Sequence, residues 1–286
     1  MEYVLGELWS TANRLNVPLV IAGDLFDKPK PSVKLVRMAW DALKSCKAGV
    51  YAVAGQHDLP NHSMEYFNES GLGLLAATGC VKMLDDSPTF IGNHVALYGM
   101  NWGNWYPNPK TGSTQTYAVL IAHDYCWKAG HTYPGAPENK HSKSHWLHLE
   151  SMGYKSAVFG DNHSGFEDII NSVPTGLLVN NGIVIPRNAD FHDYQPHYTL
   201  LYDDGTLEWM PLKEKPQWQP WVANGEAAKK VSKKLLDFAK DVATLVGNDT
   251  KENFLDELEL QMKKLDDDEV RKKVWDIITK AQESLR

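Results

Sequence analysis

Gly23-Asp24-Leu25-Phe26-Asp27 follows the apolar run Val17–Ile21, and this pairing decides how the chain is read. A short apolar run ending in a glycine and a carboxylate is how an open α/β sheet delivers a functional side chain at the carboxyl end of a strand. The same arrangement recurs three times in order. Gly55-Gln56-His57-Asp58 follows Val50–Ala54, Ala122-His123-Asp124 follows Tyr117–Ile121, and Gly160-Asp161-Asn162-His163 follows Ala157–Phe159. Taken singly, a block such as G-D-x-x-D is most simply a surface turn. Four blocks after four apolar runs instead place Asp, Gln and His side chains together at strand ends.

The segments between the blocks alternate helix and strand. Val4, Leu8, Ala12 and Leu15 have helical spacing within Met1–Asn16, and Ser32–Ser45 is a second amphipathic helix. Pro18–Ile21 and Gly49–Ala54 are expected strands. From Val81 the strands are shorter: Thr89–Ile91, Val95–Tyr98 and Tyr117–Ile121. His197–Tyr202 and Thr206–Met210 alternate about Asp203-Asp204-Gly205, which predicts a hairpin. The expected organisation is a domain over 1–212, a linker over 213–225 and a helical tail over 226–286. The tail is set apart by charge: 27 of its 61 residues are charged, against 38 of the preceding 225. Its apolar positions (Val231, Leu235, Phe238, Val242 and Leu245, then Leu255, Leu258, Met262 and Leu265) form helical stripes.

Bulk properties narrow the class. At 286 residues the chain can bury a full core. Three cysteines, Cys46, Cys80 and Cys126, form no C-x-x-C pair, so a reducing, cytoplasmic setting is expected. No apolar run reaches the ~20 residues of a membrane span. The net charge of −7 argues against tight sequence-independent binding of nucleic acid by this chain alone. It leaves DNA open as a substrate, because metal-site acids inflate the negative count.

Asp, Gln and His ligands on four strand ends point to phosphate-ester chemistry at a two-metal centre. Two hard cations about 3.5–4 Å apart share one carboxylate, here Asp24, with imidazole and oxygen ligands on either side. Such a pair lowers the pKa of a bridging water for in-line attack on phosphorus. A mixed nitrogen and oxygen shell suits Mn²⁺, with Fe or Zn as alternatives. His57 stands one residue past a ligand, so it is expected to reach the substrate as a general acid.

Taken together, the blocks resemble the calcineurin-like metallophosphoesterase superfamily over roughly the first 200 residues, and most of all its SbcD-type DNA nuclease subunits. The family pattern runs D-x-H, G-D-x-x-D, G-N-H-D/E, a lone His, then G-H-x-H. The resemblance implies an α/β fold of four layers, two mixed β-sheets flanked by helices, followed by the helical tail. It assigns Asp24 as the carboxylate bridging two divalent ions, with Mn²⁺ the expected metal. Gln56 stands for the usual Asn, His123 for the lone His, and Asp161 and His163 for the two His of the last block. His57 matches the histidine that contacts phosphate and protonates the leaving group. DNA as substrate and an SbcC-like ATPase docking on the tail helices are further implications.

Three departures from the pattern are visible. The D-x-H block is absent, and Gln56 and Asp161 replace Asn and His. A truncated reading frame is the expected reason for the first, with in-frame sequence upstream of Met1 ending Asp-x-His. A degenerate, non-catalytic scaffold is the alternative. A phosphatase or nucleotide phosphodiesterase would use the same centre. Other candidates read more plainly. Gly92-Asn93-His94 spells G-N-H but precedes its strand, so it belongs to the opposite sheet end. His141, His145 and His148 have i, i+4, i+7 spacing and read as a solvated helix face. Trp102, Trp105 and Tyr106 fall in one loop, where they either stack on bases or pack on the sheet edge. Arg187 is a candidate phosphate contact.

Overall fold

The computed structural model describes residues 2–109, 116–132, 136–170, 176–184 and 195–213. The linker beyond 213, the tail over 226–286 and Arg187 lie outside the described residues.

Two helices and two strands open the chain: α1 (Glu2–Leu15), β1 (Leu19–Ala22), α2 (Val33–Lys44) and β2 (Val50–Val53). Ser32 starts α2 because its hydroxyl accepts the Leu35 amide, one of the first-turn donors that a helix leaves unpaired. Apolar spacing then turns Ala39 and Leu43 inward. β1 and β2 run parallel in register from Leu19 against Val50 to Ala22 against Val53. After α3 (Gly71–Ala77), β3 (Lys82–Met83) extends this sheet on the β2 side, again parallel.

The second sheet has six strands in the order β4-β5-β6-β7-β9-β8. They are β4 (Thr89–Ile91), β5 (Val95–Met100), β6 (Tyr117–His123), β7 (Tyr154–Gly160), β8 (Phe166–Ile170) and β9 (Gly176–Asn180). The inner strands β5, β6, β7 and β9 are parallel, and the outer two pair antiparallel. Parallel strands buried on both faces need near-continuous apolar sequence. β5 is accordingly buried at every position, and β6 at all but its first. The loop between β6 and β7 carries α4 (Ser142–Met152).

Three apolar clusters define four layers. Trp9, Ala39, Leu43, Leu72 and Leu75 pack the first three helices against Ala52 on the outer face of the three-stranded sheet. Val53, Leu97, Val119, Ile121, Val158 and Val179 fill the space between the two sheets. Tyr98, Leu120, Trp146, Leu149 and Phe159 pack α4 on the outer face of the six-stranded sheet. The order is thus helices, sheet, sheet, helix, as expected from the sequence. The predicted hairpin forms from β10 (His197–Leu201) and β11 (Leu207–Pro211), with Leu201 against Leu207. Its turn is tied to β7, where the Ser156 hydroxyl donates to the Gly205 carbonyl.

One expectation is corrected by packing. His145 is not on a solvated face: it is buried, with 4% of its surface exposed. The three histidines divide because α4 lies on the sheet: His141 caps the helix, accepting the Lys143 amide, while His148 stays exposed. His94 is exposed in the turn between β4 and β5, at the amino end of β5, as expected. No helix among the described residues is long and apolar enough to cross a membrane.

Candidate metal centre

β1, β6 and β7 end side by side, with His123 in register with Gly160. Directly past these ends the backbone turns into left-handed conformations at Gly23 (φ 90°), Asp24 (φ 50°) and Asp161 (φ 84°). For a residue with a Cβ this conformation costs on the order of 1 kcal/mol or more, although Asp tolerates it better than most. Two of the residues so strained are carboxylates facing one another across the gap between the sheets.

The glycines before them answer to space. A Cβ on Gly23 would stand 2.0 Å from His123 Nδ1, and one on Gly55 would stand 2.1 Å from Asp24 Oδ1. Only a bare α-carbon allows the loops after β1 and β2 to close on these side chains.

Asp24, His123 and Asp161 each offer one ligand atom, and those atoms all lie within 4.8 Å of one another. His123 Nε2 stands 3.4 Å from Asp24 Oδ2 and 4.0 Å from Asp161 Oδ1. Gln56 is inserted between them. Its Oε1 is 2.7 Å from His123 Nε2, and its Nε2 donates to Asp161 Oδ1 at 2.7 Å. The two replacements noted in the sequence, Gln56 and Asp161, are therefore hydrogen-bonded to each other. The longer Gln side chain has an acceptor waiting at its amide nitrogen.

Charge follows from these contacts. His123 Nδ1–H donates to the Ala22 carbonyl at 2.7 Å, and Nε2 faces Gln56 Oε1 and the Asp24 carboxylate. Acceptors on both nitrogens favour the doubly protonated ring. Burial works against that charge, but the Asp24 carboxylate outweighs it and raises the His123 pKa above its usual value. Burial likewise opposes the charge on Asp24, while His123 and the His57 amide bring its pKa below the usual range.

Asp58 holds the two loops together and is fully buried. Its carboxylate accepts the amides of Phe26 and Gly55, each at 3.0 Å, and of Leu25 at 3.3 Å. Burial pushes its pKa up to about 6 against the pull of those donors. The sequence block contains Asp58, but spacing alone gives it no role; its signal is a buried acid flanked by two loops rich in unpaired amides. Nor does the sequence pattern put Trp102 at the centre. Its ring lies edge-on to His123 at 6.3 Å between centroids.

His57 stands at the rim. Its amide donates to Asp24 Oδ1 at 2.9 Å, and its ring, 44% exposed, approaches Asp24 Oδ2 to 3.9 Å. His163 does not join Asp24 and His123 in the group; Asp161 takes that place. Asn162 is buried and donates to the carbonyls of Cys126 and His131, while His163 is exposed.

The donor set fits a divalent ion. Ligands about 2.1 Å from one ion and at right angles stand about 3 Å apart. The distances from His123 Nε2 to Gln56 Oε1, Asp24 Oδ2 and Asp161 Oδ1, 2.7–4.0 Å, bracket that value. Among the described residues this group furnishes one of the two ion positions expected from the sequence.

The sequence matches the family described as Calcineurin-like phosphoesterase over residues 3–183. None of the curated proteins matches it. Among solved structures, TT1561 of Thermus thermophilus is 12% identical, covering 73% of this chain and 92% of its own, with a TM-score of 0.44. Phosphopantetheinyl hydrolase from Mycobacterium tuberculosis is 13% identical, covering 71% and 88%, with a TM-score of 0.45. A putative 5'-nucleotidase from Staphylococcus aureus is 11% identical, covering 81% and 53%, with a TM-score of 0.45. The family match spans more than half of the sequence and contains all four ligand-bearing blocks, and this chain therefore belongs to the calcineurin-like phosphoesterases, a hydrolase family that uses divalent metals.

Proposed function

We propose that this chain is a metal-dependent phosphodiesterase acting on DNA, the nuclease subunit of an SbcC–SbcD-like complex. The observation that carries the reading is the meeting of Asp24, Gln56, His123 and Asp161 at one set of strand ends, with the exposed His57 ring beside them. The order of the blocks supports the nuclease assignment within the family.

In this reading Asp24, Gln56, His123 and Asp161 hold a divalent ion, Mn²⁺ by the mixed nitrogen and oxygen donors. A bound ion would supply Lewis-acid polarisation of the phosphoryl oxygens and a water of lowered pKa. Asp58 fixes the loops that carry Asp24 and His57, so both side chains are placed before substrate arrives. His57 gives a proton to the leaving oxygen, a task its rim position suits because the ring is open to solvent beside Asp24. DNA is held weakly by this chain alone, given its charge of −7, and residues 226–286 recruit the ATPase partner.

The test is a substrate panel with purified protein in Mn²⁺: end-labelled DNA, bis(p-nitrophenyl) phosphate and p-nitrophenyl phosphate. Turnover of both diesters is expected. His57→Ala should lower kcat by ~10²–10⁴-fold while metal content stays that of the wild type. Turnover of the monoester alone would replace this reading with a phosphatase. A protein that binds no metal and cleaves nothing would leave a scaffold.

A further inference from the structure

A cavity of about 270 Å³ opens at the carboxyl ends of β5 and β6, on the α4 side of the six-stranded sheet. Met100, the last residue of β5, lies in its lining, and Trp105, Tyr106 and His148 supply rings around it. The cavity shares a strand end with the metal centre. His123 turns toward Asp24 between the sheets, and the next residue, Asp124, turns into the cavity. Ligands of open α/β sheets bind in the crevice beyond such strand ends.

Three features select the occupant. Trp105 is 93% exposed, so its indole is bare to solvent at a cavity that other rings line. A single exposed apolar residue means little; one placed among aromatic rings at a concave site is a stacking surface. Next, the one lysine among the described lining residues is already paired. Lys140 Nζ is bound to both oxygens of Asp124, at 2.7 and 2.6 Å, and these charges cancel. Tyr106 hydroxyl donates to His145 Nδ1, because His145 Nε2–H is committed to the Tyr125 carbonyl. Paired with Asp124, Lys140 is therefore not free to hold a phosphate. Finally, Asn104 and Asn139 bring two carboxamides to the lining, each carrying the donor and acceptor that match the edge of a base. The volume is just below the ~300–1,000 Å³ of drug-sized ligand sites, enough for one ring system.

We infer that this cavity takes a nucleobase of the substrate, stacked on Trp105 with its edge toward Asn104 and Asn139. The inference rests on the phosphodiesterase reading for its substrate, but its test does not need turnover. Titration calorimetry of the metal-free full chain with thymidine 5'-monophosphate and 2'-deoxyadenosine 5'-monophosphate should show binding, and ribose 5-phosphate should not bind. Trp105→Ala, a change at an exposed position, should weaken nucleotide binding by ~5-fold or more, as loss of one stacked base does. Asn139→Ala should change the preference between the two bases. A short single-stranded oligonucleotide that binds while the mononucleotides do not would place the occupant in a DNA strand. Absence of binding by every base-bearing probe, or equal binding to wild type and Trp105→Ala, would overturn the inference. If base-bearing probes bind as expected and no phosphodiester is hydrolysed, the activity reading fails and the base site stands.

Discussion

At Gly55 a single added methyl group would occupy the space that Asp24 fills. The Cβ of Gly55→Ala would fall 2.1 Å from Asp24 Oδ1 and 2.5 Å from the Asp24 amide, with no flexible chain to give way. Overpacking of this kind costs ~1–3 kcal/mol. A folded protein with a lower Tm and lost Mn²⁺ binding is expected, measured by calorimetry and metal analysis. The Gln56–Asp161 hydrogen bond makes a second case. Alanine at either position leaves a partner unpaired, so the double-mutant cycle should show a coupling of ~0.5–3 kcal/mol in urea unfolding of metal-free protein. Strict additivity would mean that these residues merely coincide. His123 sets the pH dependence. Its pKa is raised in the folded protein, so its contribution to metal-free stability is complete below ~6.5 and is lost as pH rises through the raised value. Metal must displace the Nε2 proton. Apparent Mn²⁺ affinity should therefore rise over the same window, with proton release visible as a dependence of binding heat on buffer.

Among the elements, α4 is the outer layer of the six-stranded sheet and depends on one side chain. Trp146 is fully buried and lies against β9 so closely that a Cβ on Gly176 would be 1.8 Å from its ring. Trp146→Ala should cost ~3–5 kcal/mol, read as a lower midpoint in denaturant. The metal donors sit at the ends of β1, β2, β6 and β7 and not on α4, so the folded variant should still bind Mn²⁺. Element positions are largely readable from the sequence. Strand Thr89–Ile91 and the β10–β11 hairpin follow from alternation and turn residues, and α2 follows from Ser32 and its apolar spacing. The side of α4 on which His145 falls is not readable. Its i, i+4, i+7 histidines look amphipathic in either direction, and only packing on Tyr106 and Phe159 turns His145 inward.

For the whole molecule, metal and fold are linked through the strand ends. An ion bound between loops from both sheets stabilises the folded chain by ~2.7 kcal/mol at a hundredfold excess over its Kd. A domain of this size responds with about 2–4 °C per kcal/mol, so saturating Mn²⁺ should raise Tm by roughly 5–10 °C, and EDTA should reverse the gain. An unchanged Tm with measured metal bound would put the ion elsewhere.

The sequence alone determined the alternation of apolar runs with ligand-bearing blocks, because strand and helix periods are local properties of side-chain order. It therefore carried the alternating α/β pattern and the presence of Asp24, Gln56, His123 and Asp161 at strand ends, while the four layers were implied by the family resemblance of those blocks. Tertiary structure decided which side chains meet. Asp161 joins Asp24 and His123, whereas His163 is left exposed. Gln56 fits because Asp161 accepts from it. Asp58 acquires the amides of Phe26 and Leu25, 32 and 33 residues earlier in the chain, only when its own loop closes on theirs. Contacts between distant loops depend on three-dimensional register, which no local pattern of residues encodes.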